Sequence, residues 1–229
     1  MELQEWVRLP SAWIQQNGLR ELQWEGNGRG SDNAAALMAL TAIAHHANRD
    51  GGIARLKYDD ICGMTGLSRA KLSNGLDVLE RIEVVERTPQ GRSTYKLSNF
   101  NPSGGWAMLP AKCMYSSGKI IAFADFRLRN ETELNALKLF FLFVQQRGRD
   151  VNMAIIGYDK IVEYTAIERS KIKAAISRLA AIPLVYVEQI PSRQNDLRIS
   201  NAYRIVGLNS YEHMGTKGRG MDAYDFEMA

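Results

Sequence analysis

Polar and cationic side chains gather in two short runs whose residue types suit recognition rather than bond-making. Ser68, Arg69, Lys71, Ser73 and Asn74 form the first run, and Arg169, Ser170, Lys171, Lys173 and Ala174 stand at matching places one hundred residues later. A guanidinium or ammonium neutralises a phosphate, and Arg or Lys also matches the acceptor edge of a guanine. An Asn amide sets a donor beside an acceptor, the pattern an adenine offers in the major groove. Small Ala70 and Ser73 would let such a surface approach closely. Because Asn74 is replaced by Ala174, the two runs would read different base steps. Further arginines follow each run: Arg87 and Arg92 after the first, Arg193 and Arg198 after the second. Arginine at a hairpin tip suits a phosphate or a narrow minor groove.

These residues need elements to hold them. Leu72, Leu76 and Leu79 recur at i, i+4 and i+7, so a helix opening at Ser68 buries them on one stripe and turns Ala70, Lys71, Ser73, Asn74 and Asp77 outward. Ser68 is a good N-cap, since its hydroxyl accepts from a backbone N–H of the first turn. A shorter helix from Tyr58 to about Thr65 precedes it, and Gly66-Leu67 makes the tight turn between them. The following VVERTPQGRSTYKLS alternates toward a hairpin with a basic tip. Helix, turn, helix and basic hairpin together resemble the winged helix-turn-helix superfamily.

The pattern occurs twice. Trp6, Leu9 and Pro10 return as Trp106, Leu109 and Pro110; Tyr58, Asp59 and Ile61 as Tyr158, Asp159 and Ile161; Leu72, Leu76 and Leu79 as Ile172, Ile176 and Leu179. A period this long fits a duplicated domain rather than a solenoid. The expected fold is therefore α+β, mainly α, with two tandem winged-helix domains related by internal duplication. The expected division is an N-terminal arm packed on the first domain (1–31), domain one (32–98), a linker with a second arm (99–130), domain two (131–208) and a flexible tail (209–229). Asp32 is expected to cap a helix reaching Asn48, and Thr132 or a neighbour its counterpart. Pro183 should stop the last helix. Gly75 lies mid-helix, where close helix packing accounts for it. The loop GNGRGS before Asp32 reads as a connection into a capped helix, with a phosphate beside Arg29 as the weaker alternative.

Bulk properties narrow the function classes. A net charge of +4 with pI near 9.1 permits an acidic partner without demanding one. Cys62 and Cys113 have no metal spacing and form no disulfide framework, so a reducing cytoplasm is expected. No membrane association and no signal peptide are expected. His45 and His46 are helix neighbours pointing about 100° apart, which does not suit a shared metal. No Gly-x-Ser-x-Gly or His-Glu-x-x-His motif occurs. No enzyme activity, cofactor or metal is expected.

The tandem arrangement is similar to plasmid and phage replication initiators and to related transcriptional regulators. That resemblance implies sequence-specific binding of double-stranded DNA at a repeated or two-half-site sequence, with two recognition helices and basic wings. A monomer would then do the work of a dimer on a direct or imperfect repeat. The alternative is a winged-helix scaffold in a multi-subunit assembly, with a protein partner docking through the tail or the aromatic arms around Trp6, Trp13, Trp24 and Trp106.

Overall fold

A computed structural model describes residues 3–25, 28–88, 93–148, 151–182, 184–192 and 195–208. Pro183, Arg92, Arg193 and the tail 209–229 lie outside the described residues, as does the side chain of Arg198. The fold is α+β with small antiparallel sheets. Among the described residues no helix is long and apolar enough to cross a membrane.

From its long helix onward each half repeats one order of elements. In the first, β1 (Trp6–Pro10) and α1 (Ala12–Gln15) lead to α2 (Arg29–His46), β2 (Ile53–Arg55), α3 (Tyr58–Thr65), α4 (Arg69–Arg81), β3 (Val85–Arg87) and β4 (Thr94–Leu97). In the second, β5 (Trp106–Pro110) and a short hairpin of β6 (Tyr115–Ser116) and β7 (Lys119–Ile120) lead to α5 (Glu131–Gln146). There follow β8 (Met153–Ile155), α6 (Tyr158–Thr165), α7 (Arg169–Ala181), β9 (Val185–Ser192) and β10 (Asn195–Ile205). The sheets have matching orders, β2-β4-β3 and β8-β10-β9, so each hairpin pairs back onto the strand that precedes the helix pair.

The turn between α3 and α4 forms as expected. Gly66 takes φ +75° and its N–H closes on Cys62 O. Ser68 Oγ accepts from Lys71 N at 3.2 Å, the foreseen cap. The second half makes the same turn with Ala166 at φ +53°, a conformation that costs an L-residue on the order of 1 kcal/mol.

Helix starts differ from expectation. The first long helix opens at Arg29 after Gly28 (φ +84°), three residues ahead of Asp32. Gly28 reaches a left-handed backbone that Asp32 has no need of, and Asp32 stays in the first turn, where its carboxylate suits the helix dipole. Gly30 then lies under Trp24, for a Cβ there would come 2.5 Å from the indole. Arg29, the first residue of α2, pairs with Glu25 at 3.0 Å, while Gly26 and Asn27 of the GNGRGS loop lie outside the described residues. In the second half Asn130 is the cap, accepting from Glu133 N at 3.0 Å.

Gly75 makes the close helix contact expected of it, against α2. A Cβ at Gly75 would meet Ala36 N at 2.8 Å and Ala35 C at 2.9 Å, both backbone atoms that cannot move aside cheaply. The second half carries buried Ala175 at the matching place, so its α5–α7 contact has room for a methyl. Gly75→Ala should destabilise by about 1–2 kcal/mol, the overpacking cost exceeding the helix-propensity gain. The converse Ala175→Gly should also destabilise, by about 1 kcal/mol. Urea unfolding of both variants checks the pair of signs.

The arms cross between the halves. β1 pairs antiparallel with β5, Trp6 opposite Pro110, Arg8 opposite Met108 and Pro10 opposite Trp106. The 3-10 turn at Gly18–Glu21 packs on α6, α1 touches α5, and Trp13 meets Phe141 at 6.2 Å between ring centroids. Lys138 Nζ on α5 donates to Leu22 O at 2.8 Å. In return β7 of the second arm packs on α3. The first arm, expected on the first domain, therefore lies against both halves. The physical reason is the repeated strand motif: each copy is the other's antiparallel partner and satisfies its backbone groups. Central helices α2 and α5 pack together, and one continuous apolar core runs through both halves.

Candidate nucleic-acid interface

Helix α4 presents the face its periodicity foretold. Leu72, Leu76 and Leu79 are fully buried, whereas Ala70, Asn74 and Asp77 are exposed and Lys71 and Ser73 half-buried. On α7, Arg169, Ser170, Lys173, Ala174 and Ser177 are exposed and Lys171 half-buried.

Most of the candidate cations are ion-paired, which the sequence reading missed. Arg69 Nη2 lies 2.7 Å from both Asp59 carboxylate oxygens, and its Nε donates to Oδ1 at 3.0 Å. Lys71 Nζ meets Asp32 at 2.7 Å, and Asn74 Nδ2 donates to the other oxygen of Asp32 at 3.2 Å. The second half repeats both clamps. Arg169 pairs with Asp159 and lies over the Tyr158 ring, 5.6 Å from its centroid. Lys171 lies 2.9 Å from both Glu131 and Glu168, whose hydrogen bonds raise its pKa. So one cation of each helix ties it to the helix before the turn, and the other ties it to the N-terminal turn of the central helix. The signal was present: Asp59 to Arg69 and Asp159 to Arg169 share a spacing of ten residues. What separation in sequence hides is that the turn folds those ten residues back on themselves.

Arg87 is not a wing-tip cation. It sits on β3 and pairs with Asp77 at 2.6 Å and with Glu80 of α4. Those carboxylates raise its pKa, and the Arg87 hydrogen bond in turn lowers that of Glu80. Short β3 keeps the arginine beside the helix. Lys173 differs from the rest: among the described residues it has no ion-pair partner.

Between α4 and the hairpin lies an open depression of about 440 Å³ lined by Tyr58, Arg69, Arg87, Thr88, Ser93, Thr94 and Tyr95. Its two guanidinium groups and its hydroxyls are donors that suit a phosphate oxygen. Tyr95 is buried beneath, its hydroxyl without a hydrogen-bond partner among the described residues, and burial pushes its pKa up to about 12. Tyr203 repeats this in the second half, stacked on Phe143 at 4.0 Å between centroids.

His45 and His46 make structural contacts. His45 Nε2 donates to Pro110 O at 2.9 Å, which leaves Nδ1 to accept from the Tyr115 hydroxyl at 3.1 Å. Burial holds its pKa down at about 3. His46 Nε2 lies 3.1 Å from Met64 Sδ. Among the described residues no cluster of His, Cys, Asp and Glu is arranged to hold a metal. Cys62 is half-buried and Cys113 exposed, both as free thiols. No protein-family model matches this chain, and a search of curated proteins finds no match to it.

Proposed function

We propose that this chain is a sequence-specific double-stranded DNA-binding protein built from two winged helices, and a replication initiator or transcriptional regulator of a plasmid, phage or other mobile element. The observation that carries the reading is the duplicated exposed face of α4 and α7, each opening with an Arg-x-Lys after a tight helix–helix turn and flanked by a three-stranded sheet. Helix N-terminal turns with exposed polar side chains are what a major groove admits.

The initiator or regulator role rests on the architectural resemblance alone. A scaffold reading has one observation in its favour: Asp59, Asp32, Asp77 and Glu80 offset the cations of the first half, which reduces the electrostatic pull on a phosphate backbone. Selection of duplexes from a random pool, followed by affinity at several salt concentrations, separates them. A defined motif bound with a steep negative salt slope is expected. Sequence-blind, salt-insensitive binding would sink the DNA reading and direct attention to a protein partner.

A further inference from the structure

Three observations of different kinds give the relation between the halves. The first is the register of the arm strands. Residue k matches residue k + 100 in the duplication, and the same strands pair so that Trp6 faces Pro110, Arg8 faces Met108 and Pro10 faces Trp106. Exchanging the two copies leaves that pairing unchanged, so a local two-fold axis passes between Arg8 and Met108. The second is reciprocity: the first arm's 3-10 turn packs on α6 of the second half, and β7 of the second arm packs on α3 of the first. A two-fold closes on itself in this way, whereas a head-to-tail operator leaves one such contact without its mate. The third is contact between equivalents. Trp6 stacks on Trp106 with centroids 5.6 Å apart, and α2 packs on α5. Equivalent side chains meet each other at a two-fold axis.

From this geometry, and resting on the DNA-binding reading above, we infer that one chain reads two half-sites in inverted orientation, not the direct repeat that tandem copies suggest. A two-fold reverses the part of α7's direction that lies across the axis relative to α4, so on a duplex lying across that axis the second helix reads its base steps on the opposite strand. Protein two-folds of this kind are mirrored by palindromy in the DNA. In this chain the palindrome is disguised. Arg69 and Lys71 match Arg169 and Lys171, but Ser73, Asn74 and Asp77 face Lys173, Ala174 and Ser177, so the half-sites agree only in part.

Removing that disguise is the test. Ser170→Ala, Lys173→Ser, Ala174→Asn and Ser177→Asp together give α7 the outward face of α4, all at exposed positions. The converse set on α4, Ala70→Ser, Ser73→Lys, Asn74→Ala and Asp77→Ser, approaches from the other side. Each variant, after circular dichroism shows an unchanged helical spectrum, selects duplexes from a random pool alongside the unaltered chain. Light scattering then counts chains per duplex. The expected result is one element occurring twice in inverted order, bound by a single chain. A synthetic inverted pair should bind about tenfold or more tighter than the same elements in direct order, because only the inverted order engages both helices at once. A direct repeat, a single element, two chains on one inverted pair, or no inverted pair from either variant would each overturn the inference. Failure of the unaltered chain to select any motif would instead overturn the DNA-binding reading beneath it.

Discussion

The double variant Arg69→Ala/Lys71→Ala is expected to lower affinity for a selected duplex about ten- to a hundredfold, since a bidentate base contact is worth about 1–3 kcal/mol and each 1.4 kcal/mol is tenfold. Its counterpart Arg169→Ala/Lys171→Ala should do the same for the other half-site. Loss of phosphate contacts should also flatten the salt slope, by about 0.9 per contact removed. These cations hold the fold as well, so loss of binding alone would not separate contact from collapse. Asp59→Asn and Asp159→Asn make that separation. Both carboxylates are exposed and pair with exposed arginines, so removing them should change stability by less than about 1 kcal/mol. Each frees a guanidinium from a competing anion, and binding should become tighter and more salt-dependent. Affinity and salt slope unmoved by any of the four changes, with only the melting temperature shifted, would reduce the pairs to helix clamps. Lys173→Ala adds a reference, being a cation whose loss breaks no ion pair among the described residues.

Local elements were legible because their causes are local. Leu72, Leu76 and Leu79 declare one helix face, Gly66 allows the left-handed turn, and Ser68 supplies the cap; the bounds of α3 and the start of α4 followed closely. The duplication was legible for a similar reason, since Trp6-to-Pro10 and Trp106-to-Pro110 carry a composition that survives divergence. What those two strands do with each other was not legible. A five-residue strand motif does not state its partner, and Trp6, Trp13 and Trp24 announce burial without saying against which half. Hydrophobic burial is non-directional, so the arms' crossing emerges only when both copies are placed. The site residues show the same limit. Arg69, Lys71 and Arg87 were singled out by type and position; the first two are found on the expected helix, and the third on β3 beside it instead of at the hairpin tip. Their carboxylate partners come from α2, α3 and α4, across turns that sequence separation conceals.

Those crossing seams hold two buried bases, and stability should respond to pH through both. His45, 5% exposed, bonds the second arm, and burial depresses its pKa from 6.5 to about 3. Lys138, 1% exposed, bonds the first arm, and burial depresses its pKa from 10.5 to about 7. In each case the unfolded chain holds the proton more tightly than the folded one. Stability therefore rises with pH from about 3 to 6.5 through His45 and from about 7 to 10.5 through Lys138, and is lost in the opposite direction. At about 1.4 kcal/mol per unit of pKa difference, each ramp is worth several kcal/mol. His46, also depressed by burial, adds to the lower ramp. Cys62, Cys113 and the buried tyrosines have raised pKa values and work against the upper one, so pH 7 to 9 is the window in which Lys138 shows most clearly. The sister halves supply the control substitutions. His45→Gln installs the residue type found at Gln145, and should shallow the acid ramp while giving up the Pro110 and Tyr115 bonds. Lys138→Met installs the type found at Met38, and should abolish the rise between pH 7 and 9. It should also raise stability at neutral pH if release of the buried charge outweighs the unpaired Leu22 carbonyl, a loss of about 1–3 kcal/mol. Urea midpoints at half-unit pH steps resolve this. An unchanged slope between pH 7 and 9 in Lys138→Met would mean that Lys138 carries no such burden, and that the first arm is held on α5 by apolar packing rather than by that ammonium.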